Sequence, residues 1–311
     1  MTPKWFELEL IGVCDYRCLH CGIWERRKSP QELPFEAWQG LVREIASWAG
    51  PDANLSVTSG EPFLHPRLLE LIGEASKLGI WTYLNTHGGH IDAPTAERVA
   101  DSGLDMLWLS LDGLRPETHD HSRGVPGAHA RVLRALDNLG RAGYQHAGLV
   151  TLMTERNLAE LPDLARWAGD RSLRGISFQP MQPYGRDWKS LWPKDPAALS
   201  RALEGIEAAR RAGAPILNSP VQLADFARYY EDPSRPYPEH ACRSTETTIV
   251  ENEGPVRFCR YMEPVGRIQS TSLRALWESA AGVRRRAETA ACHKSCVLMG
   301  CHFPIPDEYL L

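Results

Sequence analysis

Short apolar runs and amphipathic stretches alternate from residue 5 to about residue 180. Runs at 6–11, 54–58, 80–85, 106–111, 148–153 and 175–179 have the length and apolar content of buried strands. Between them, residues 35–49, 66–78, 93–102, 129–142 and 158–168 place apolar positions at helical spacing. Pro94 suits the first turn of its helix. Gly79 and Gly143 stand where a glycine closes one. This alternation predicts parallel βα units. Six in a row fit an α/β barrel, open or closed, and equally a doubly wound sheet; periodicity does not separate the two. Both designs set their active sites beyond the carboxyl ends of the strands. The chemistry-bearing residues fall there: Cys14 after the first strand, Gly60 and Glu61 after the second, Asn85 at the third, Ser110 and Asp112 at the fourth, Gln179 at the sixth.

The pattern changes after residue 180. Residues 181–195 read as a loop rich in Pro, Gly and Trp, 196–212 as a helix and 231–239 as a Pro-rich linker. This divides the chain into a core of residues 1–235 and a small cysteine-rich domain of residues 236–311. There is no internal repeat and no low-complexity tract.

The composition is that of an ordinary globular protein, with 43% hydrophobic and 24% charged residues among 311. A net charge of -4 argues against a general nucleic-acid binder. No apolar stretch approaches the roughly 20 residues needed to cross a bilayer, so no membrane association is expected. The N-terminus has no basic segment followed by an apolar run, so no signal peptide is expected and the cytoplasm is the expected location.

The eight cysteines change the picture. They form two groups, Cys14, Cys18 and Cys21, then Cys242, Cys259, Cys292, Cys296 and Cys301, with none in the long stretch between. Clustering of this kind, without a secretion signal, points to metal rather than disulfides. The segment from Cys14 to Cys21 is a C-x3-C-x2-C array. Three thiolates on one tight loop can hold three irons of a [4Fe–4S] cube and leave the fourth open to a small molecule. A structural zinc site is the competing reading.

The array, directly after the first strand, resembles the signature of the radical S-adenosylmethionine (radical SAM) superfamily. The resemblance implies a partial (β/α)6 TIM-like barrel. It implies a [4Fe–4S] cluster on Cys14, Cys18 and Cys21, whose free iron chelates the amino and carboxylate groups of S-adenosylmethionine. Reductive cleavage then gives methionine and a 5′-deoxyadenosyl radical that removes a hydrogen atom from substrate. Thr58-Ser59-Gly60-Glu61-Pro62 resembles the family's Gly-Gly-Glu-Pro motif, with Ser59 in place of the first glycine. This implies that Ser59, Gly60 and Glu61 receive the methionine ammonium, which a carboxylate suits. Ser110-Leu111-Asp112 resembles a Ser-x-Asp element that bonds ribose and methionine carboxylate. Asn85-Thr86-His87-Gly88 resembles the turn after the third strand. Arg123 resembles the arginine of an Asp-x-x-Arg-Gly stretch, a contact to the cofactor carboxylate or to substrate. His20 stands where an aromatic residue lies beside the adenine, and is expected to pack there.

The later cysteines resemble the SPASM/Twitch extension of this superfamily. Cys242 precedes a hairpin pattern ending at Cys259; a short helix with an aromatic, Trp277, and Cys292-x3-Cys296-x4-Cys301 follow. The family's pair is C-x2-C, and no cysteine follows Cys301. The count therefore implies one auxiliary [4Fe–4S] cluster, held by Cys242, Cys259 and two of Cys292, Cys296 and Cys301, with His293 and His302 also in reach. A zinc knuckle is the alternative. The cluster could take an electron from a substrate radical or position the substrate.

The expected reaction is hydrogen abstraction from an unactivated C–H of a ribosomal peptide, giving a cross-link, an epimer or an oxidised product. The alternative is a small-molecule dehydrogenase or rearrangement enzyme of a cofactor or natural-product pathway. A non-enzymatic iron–sulfur or zinc protein would need no cofactor pocket. The first strand starts near residue 5, so no peptide-recognition domain is expected ahead of the barrel, and no cobalamin domain is apparent. An electron donor such as flavodoxin or ferredoxin is an expected partner. No catalytic acid, base or hydrogen donor is assigned. His87, His119, His121, Tyr184 and Arg186 lie on loops near the predicted opening, and the fifth late cysteine is a candidate donor.

Overall fold

The computed structural model describes residues 2–182, 188–237 and 242–298. Six βα units come first. Their strands are β1 (Trp5–Leu8), β2 (Asn54–Val57), β3 (Trp81–Thr86), β4 (Met106–Ser110), β5 (Ala147–Met153) and β6 (Ile176–Pro180). The helices between them are α1 (Phe35–Ala49), α2 (Leu68–Lys77), α3 (Ala93–Asp101), α4 (Pro116–Arg123), α5 (Ala128–Arg141) and α6 (Leu161–Asp170). After β6 come α7 (Trp188–Leu191), α8 (Pro196–Arg211) and α9 (Pro220–Glu231). The C-terminal segment supplies β7 (Thr247–Val250), β8 (Pro255–Arg257), β9 (Gly266–Arg267), α10 (Leu273–Glu278) and α11 (Ala280–Ala290).

The strand order is β6-β5-β4-β3-β2-β1-β7-β8-β9 in a single sheet. From β1 to β6 each strand pairs in parallel with the next in sequence. A doubly wound sheet must reverse its order at a switch point. No reversal occurs here, so every crossover advances the same way, as in a barrel. This resolves the choice that periodicity left open.

The side chains alternate accordingly. Phe6, Leu8, Leu55, Val57, Leu84, Leu107, Leu109, Leu149, Ile176 and Phe178 are buried and pack in one apolar cluster with helix residues such as Trp38, Ile45, Ile72, Val99, Val132 and Leu164. Each such side chain contributes about 1.5–3 kcal/mol by leaving water. The opposite face carries Tyr83, Asn85, Trp108, Ser110, Val150, Leu152, Ser177 and Gln179, none of them fully buried. These line the inner side of the curved sheet. Gly148 makes room there: a Cβ on it would lie 2.4 Å from Cζ3 of Trp108, whose indole lies across the neighbouring strand.

The C-terminal segment shares the sheet of the core. β7 pairs in parallel with β1, Trp5 opposite Thr247 through Leu8 opposite Val250, so the sheet runs across the boundary expected at residue 235. β7 and β8 form the expected hairpin. The aromatic of the short helix anchors it: Trp277 is 1% exposed and meets Phe258 at 4.8 Å and Trp48 of α1 at 6.3 Å between ring centroids.

Several boundaries differ from expectation. The first strand stops at Leu8, because Leu10 and Ile11 leave the ladder yet stay buried. Helix α4 was not expected: its sequence PETHDHSR has no apolar stripe. Helices α9 and α11 were also unassigned from the sequence. The start of α9 carries a clear signal: Ser219 accepts from the Gln222 N–H at 3.1 Å, with Pro220 in the first turn.

Candidate active site

The cysteine loop leaves the carboxyl end of β1 and meets the turn after β2. In that turn Ser59 has φ 69° and Gly60 φ 59°. Gly60 is required by contact: a Cβ there would lie 2.1 Å from the Val13 carbonyl oxygen. The Glu61 N–H donates to the same oxygen at 3.0 Å. The two loops therefore touch backbone to backbone, and Cys14 is held beside Glu61. Ser59, in place of the usual glycine, occupies a left-handed conformation that costs an L-residue about 1 kcal/mol.

Glu61 is 1% exposed. Its carboxylate accepts from Thr86 Oγ1 at 2.7 Å, from the His87 N–H at 3.0 Å and from the Phe63 N–H at 3.1 Å. His87 in turn accepts at Nδ1 from the Gly89 N–H at 2.9 Å, which puts its proton on Nε2. Nε2 lies 2.9 Å from Asp15 Oδ1, and His90 Nε2 lies 3.1 Å from Asp15 Oδ2. Burial opposes the charge on Asp15, but the two imidazoles outweigh it and hold this carboxyl well below its ordinary range. Tyr16 stacks on His87, with ring centroids 3.5 Å apart. A ligand atom each of Cys14, Asp15 and His87 falls within 4.8 Å of the others.

A second network grips Cys18. Asp112 is fully buried and accepts from Ser122 Oγ at 2.7 Å, from Arg123 Nη2 at 2.8 Å and from the Leu152 N–H at 3.0 Å. Its own N–H donates to His119 Nδ1 at 3.0 Å. Burial works against the Asp112 charge, yet Arg123 prevails and sets its pKa at about 2. Arg123 also bonds the Cys18 side chain. Its Nε, and Nδ1 of His20, are buried without a protein partner among the described residues. Burial lowers His119 to about 3 and His20 to about 4.

Of the residues singled out in the sequence, Cys14, Cys18, Cys21, Ser59, Gly60, Glu61, Asp112 and Arg123 meet around this loop. Asn85 and Ser110 stand on the inner face of β3 and β4, with Asn85 exposed. His87 and His119 prove to be buried and bonded within these networks. Tyr184, Arg186, Cys301 and His302 lie outside the described residues. Sequence reasoning missed Asp15, Tyr16, His90, Ser122 and Asn157. Asn157 bridges the Asp112 and Leu152 carbonyls, at 2.7 Å to each. An acid between two cysteines, two histidines three apart and a serine beside Arg123 were the available signals.

Comparison with known proteins decides the family: the model of the radical SAM superfamily matches residues 8–168. The chain belongs to the radical SAM superfamily. Among its relatives, mycofactocin maturase MftC of Mycobacterium ulcerans is 31% identical over 195 residues, which are 62% of this chain and 52% of MftC. The chain thus spans about half the length of that relative. The AdoMet-dependent heme synthase of Methanosarcina barkeri is 24% identical, over 96% of this chain and 91% of that protein. In fold, SuiB of Streptococcus suis bound to S-adenosylmethionine matches with TM-score 0.72 at 15% identity, over 96% of this chain and 72% of SuiB. Native anSMEcpe with bound AdoMet and Cp18Cys peptide matches with TM-score 0.70 at 16% identity, over 96% of this chain and 88% of that one.

Radical SAM proteins bind a [4Fe–4S] cluster and S-adenosylmethionine, and the residues here fit both. Three cysteines on one half-buried loop form no disulfide. Burial pushes the Cys14 thiol up to about 12 and raises Cys18. These two bare thiols are therefore protonated, and iron loading must release their protons. The buried Arg123 Nε is an unused donor in the same region, and His20 Nδ1 an unused ring nitrogen, among the described residues.

Four cysteines of the second group, Cys242, Cys259, Cys292 and Cys296, lie within the described residues. Cys242 precedes the 3-10 turn Arg243–Glu246, Cys259 follows β8, Cys292 follows α11, and Cys296 lies in the 3-10 turn Ser295–Leu298. Helix α11 packs on the first of these turns. Thr289 Oγ1 meets Met262 Sδ at 3.5 Å, and the Tyr237 N–H donates to the His293 carbonyl at 2.8 Å. None of these four cysteines forms a disulfide.

Proposed function

We propose that this chain is an enzyme that reductively cleaves S-adenosylmethionine and abstracts a hydrogen atom from an unactivated C–H of a ribosomally made peptide. The observation that carries the reading is the backbone contact of the cysteine loop with the Gly60–Glu61 turn, which makes cluster loop and cofactor turn one unit. When bound and reduced, the cluster and S-adenosylmethionine supply the 5′-deoxyadenosyl radical. The chain's part is to place them. Cys14, Cys18 and Cys21 would hold three irons. Glu61, kept buried by Thr86 and the His87 backbone, would attract the methionine ammonium. Arg123, fixed by Asp112, would face the anionic side of the site and steady Cys18. Asn85 and Ser110 on the inner face are placed to bond polar groups of cofactor or substrate.

Cys242, Cys259 and two of Cys292, Cys296 and Cys301 would hold one auxiliary [4Fe–4S] cluster; Cys242 precedes β7, which pairs with β1 from its amino end, and Cys259 follows β8. A flavodoxin- or ferredoxin-like protein would supply electrons. Support for a peptide substrate comes from the identity with a mycofactocin maturase, and from the fold shared with SuiB, also described bound to its precursor peptide SuiA. A second reading, oxidation of a small molecule such as a tetrapyrrole, is favoured by the heme synthase, whose similarity spans nearly both chains.

The test is anaerobic reconstitution of wild type and of the Cys14/Cys18/Cys21→Ala triple variant, with iron, sulfide and 5′-deoxyadenosine measured. The reading expects two cubanes in the wild type and one in the variant, with cofactor cleavage only in the wild type. Zinc without iron in either group would remove that group from the redox chemistry.

A further inference from the structure

The segment that follows Cys21 is fixed at both ends and charged in the middle. Trp24 Nε1 donates to the Cys18 carbonyl at 3.3 Å, and the Arg26 N–H closes the 3-10 turn Ile23–Glu25 on Ile23 O at 2.9 Å. At the far end the Leu33 N–H donates to Asn252 O at 2.8 Å, and Asn252 Nδ2 donates to Glu32 Oε1 at 3.2 Å. Between these anchors Arg26, Arg27 and Lys28 stand exposed in succession. Arg17, inside the cysteine array, is exposed as well. Among the described residues, none of the four makes an ion pair. The nearby acids are Asp15, which is taken up by His87 and His90, Glu25, and Glu32, which accepts from Asn252. In a chain of net charge -4, this is a cationic rim centred on the cysteine loop.

We propose that Arg17, Arg26, Arg27 and Lys28 form the docking surface for a small acidic redox protein that delivers the electron to the cluster loop. The proposal rests on the reading that Cys14, Cys18 and Cys21 hold a reducible cluster. One electron leaves the reduced donor and enters the cluster; no bond forms or breaks in that step. The donor has to approach the cluster loop from outside, and Trp24 fastens the rim to the Cys18 backbone. On β3, β4 and β6 the inner face of the sheet, where a substrate would lie, presents Asn85, Trp108, Ser110 and Gln179, which carry no charge; Glu7 on β1 is paired with Arg260. Exposed charges of this kind act mainly on encounter rate, over about one Debye length, roughly 8 Å at physiological salt.

The test compares two reductants on the reconstituted protein. Cleavage of S-adenosylmethionine is driven by dithionite in one series and by reduced flavodoxin with its reductase in the other. The variants are Arg26→Glu/Arg27→Glu/Lys28→Glu and the charge-preserving Arg26→Lys/Arg27→Lys. With flavodoxin, the reversal is expected to slow cleavage by about tenfold or more, and the wild-type rate should fall steeply with salt. The lysine variant should keep its rate. With dithionite, all three proteins should match, with equal iron content. A flavodoxin-driven rate within twofold of wild type in the reversed variant would overturn the proposal. So would an equal loss with both reductants, which would make the segment structural or a substrate contact. Wild type that cleaves nothing with dithionite would instead sink the cluster reading itself.

Discussion

Neighbouring residues in the turn after β2 should respond in opposite ways to the same kind of change. Gly60 cannot accept a Cβ, because Val13 O lies where it would go and φ is 59°. Gly60→Ala must push the cysteine loop away, and we expect it to lose most of its iron on reconstitution. Ser59 already bears a Cβ at φ 69°. Ser59→Gly relieves that strain and should raise stability by about 0.5–1 kcal/mol, with iron content unchanged. Iron assays and urea unfolding of both variants check the pair, and a Gly60→Ala protein with full iron would remove the contact from the argument.

The buried histidine gives a pH dependence whose sign can be worked out. Burial holds His119 neutral, with its pKa lowered from 6.5 to about 3. The unfolded chain therefore takes up a proton that the folded chain refuses, and stability falls as pH drops from about 6.5 toward 3. Asp112 works in the same direction lower down: its stabilising charge is present above about pH 4 and is lost toward pH 2. Urea unfolding of the metal-free protein between pH 7.5 and 5 should show this effect, to which His20, lowered by burial to about 4, adds with the same sign. His119→Gln should flatten that slope. An unchanged slope in this variant would place the acid sensitivity elsewhere.

At the scale of elements, periodicity identified what repeats and missed what is held by polar contacts. The six strands and five of the helices between them carry apolar residues at period two or 3.6, and all appear close to where the pattern put them. Helix α4 has no such stripe. It forms because Pro116 opens it and its residues Thr118, His119, Ser122 and Arg123 bond Glu160 and Asp112 from other elements. Those partners lie up to 42 residues away in sequence, so no local pattern could show them. The cysteine array was legible for the opposite reason, since all its chemistry lies within eight consecutive positions. The auxiliary segment falls between these cases. Its hairpin was readable, while its attachment was not: Trp277 packs on Trp48, and Arg260, next to Cys259, pairs with Glu7 and Glu9 on β1 and just beyond it. Trp277→Ala should cost about 3–5 kcal/mol and loosen the auxiliary cysteines first. The expected result is loss of about half the reconstituted iron, with Cys14, Cys18 and Cys21 still loaded. Full iron at unchanged stability would show that this anchor does not hold the second site.

Across the whole molecule, one sheet joins the cluster loop and the later cysteines. β1 pairs with β2 on one side and β7 on the other, so the strand that launches Cys14 is held in place partly by the C-terminal segment. A core cut at residue 235 would strip β7 from β1, leave a row of unpaired N–H and C=O groups and uncover Phe6 and Trp48. Exposed apolar edges of this kind invite association. We expect residues 1–235 to elute as oligomers, to unfold well below the full chain and to take up little iron. On that outcome the unit that folds is the whole sheet, and the linker near 231–239 is a connection rather than a boundary between independent domains. A monodisperse 1–235 fragment that holds one cubane would reverse this conclusion and make the β1–β7 pairing an interface between two separable bodies. The result bears on the site as well, because the strand that launches Cys14 is the one that β7, which starts five residues after Cys242, pairs with.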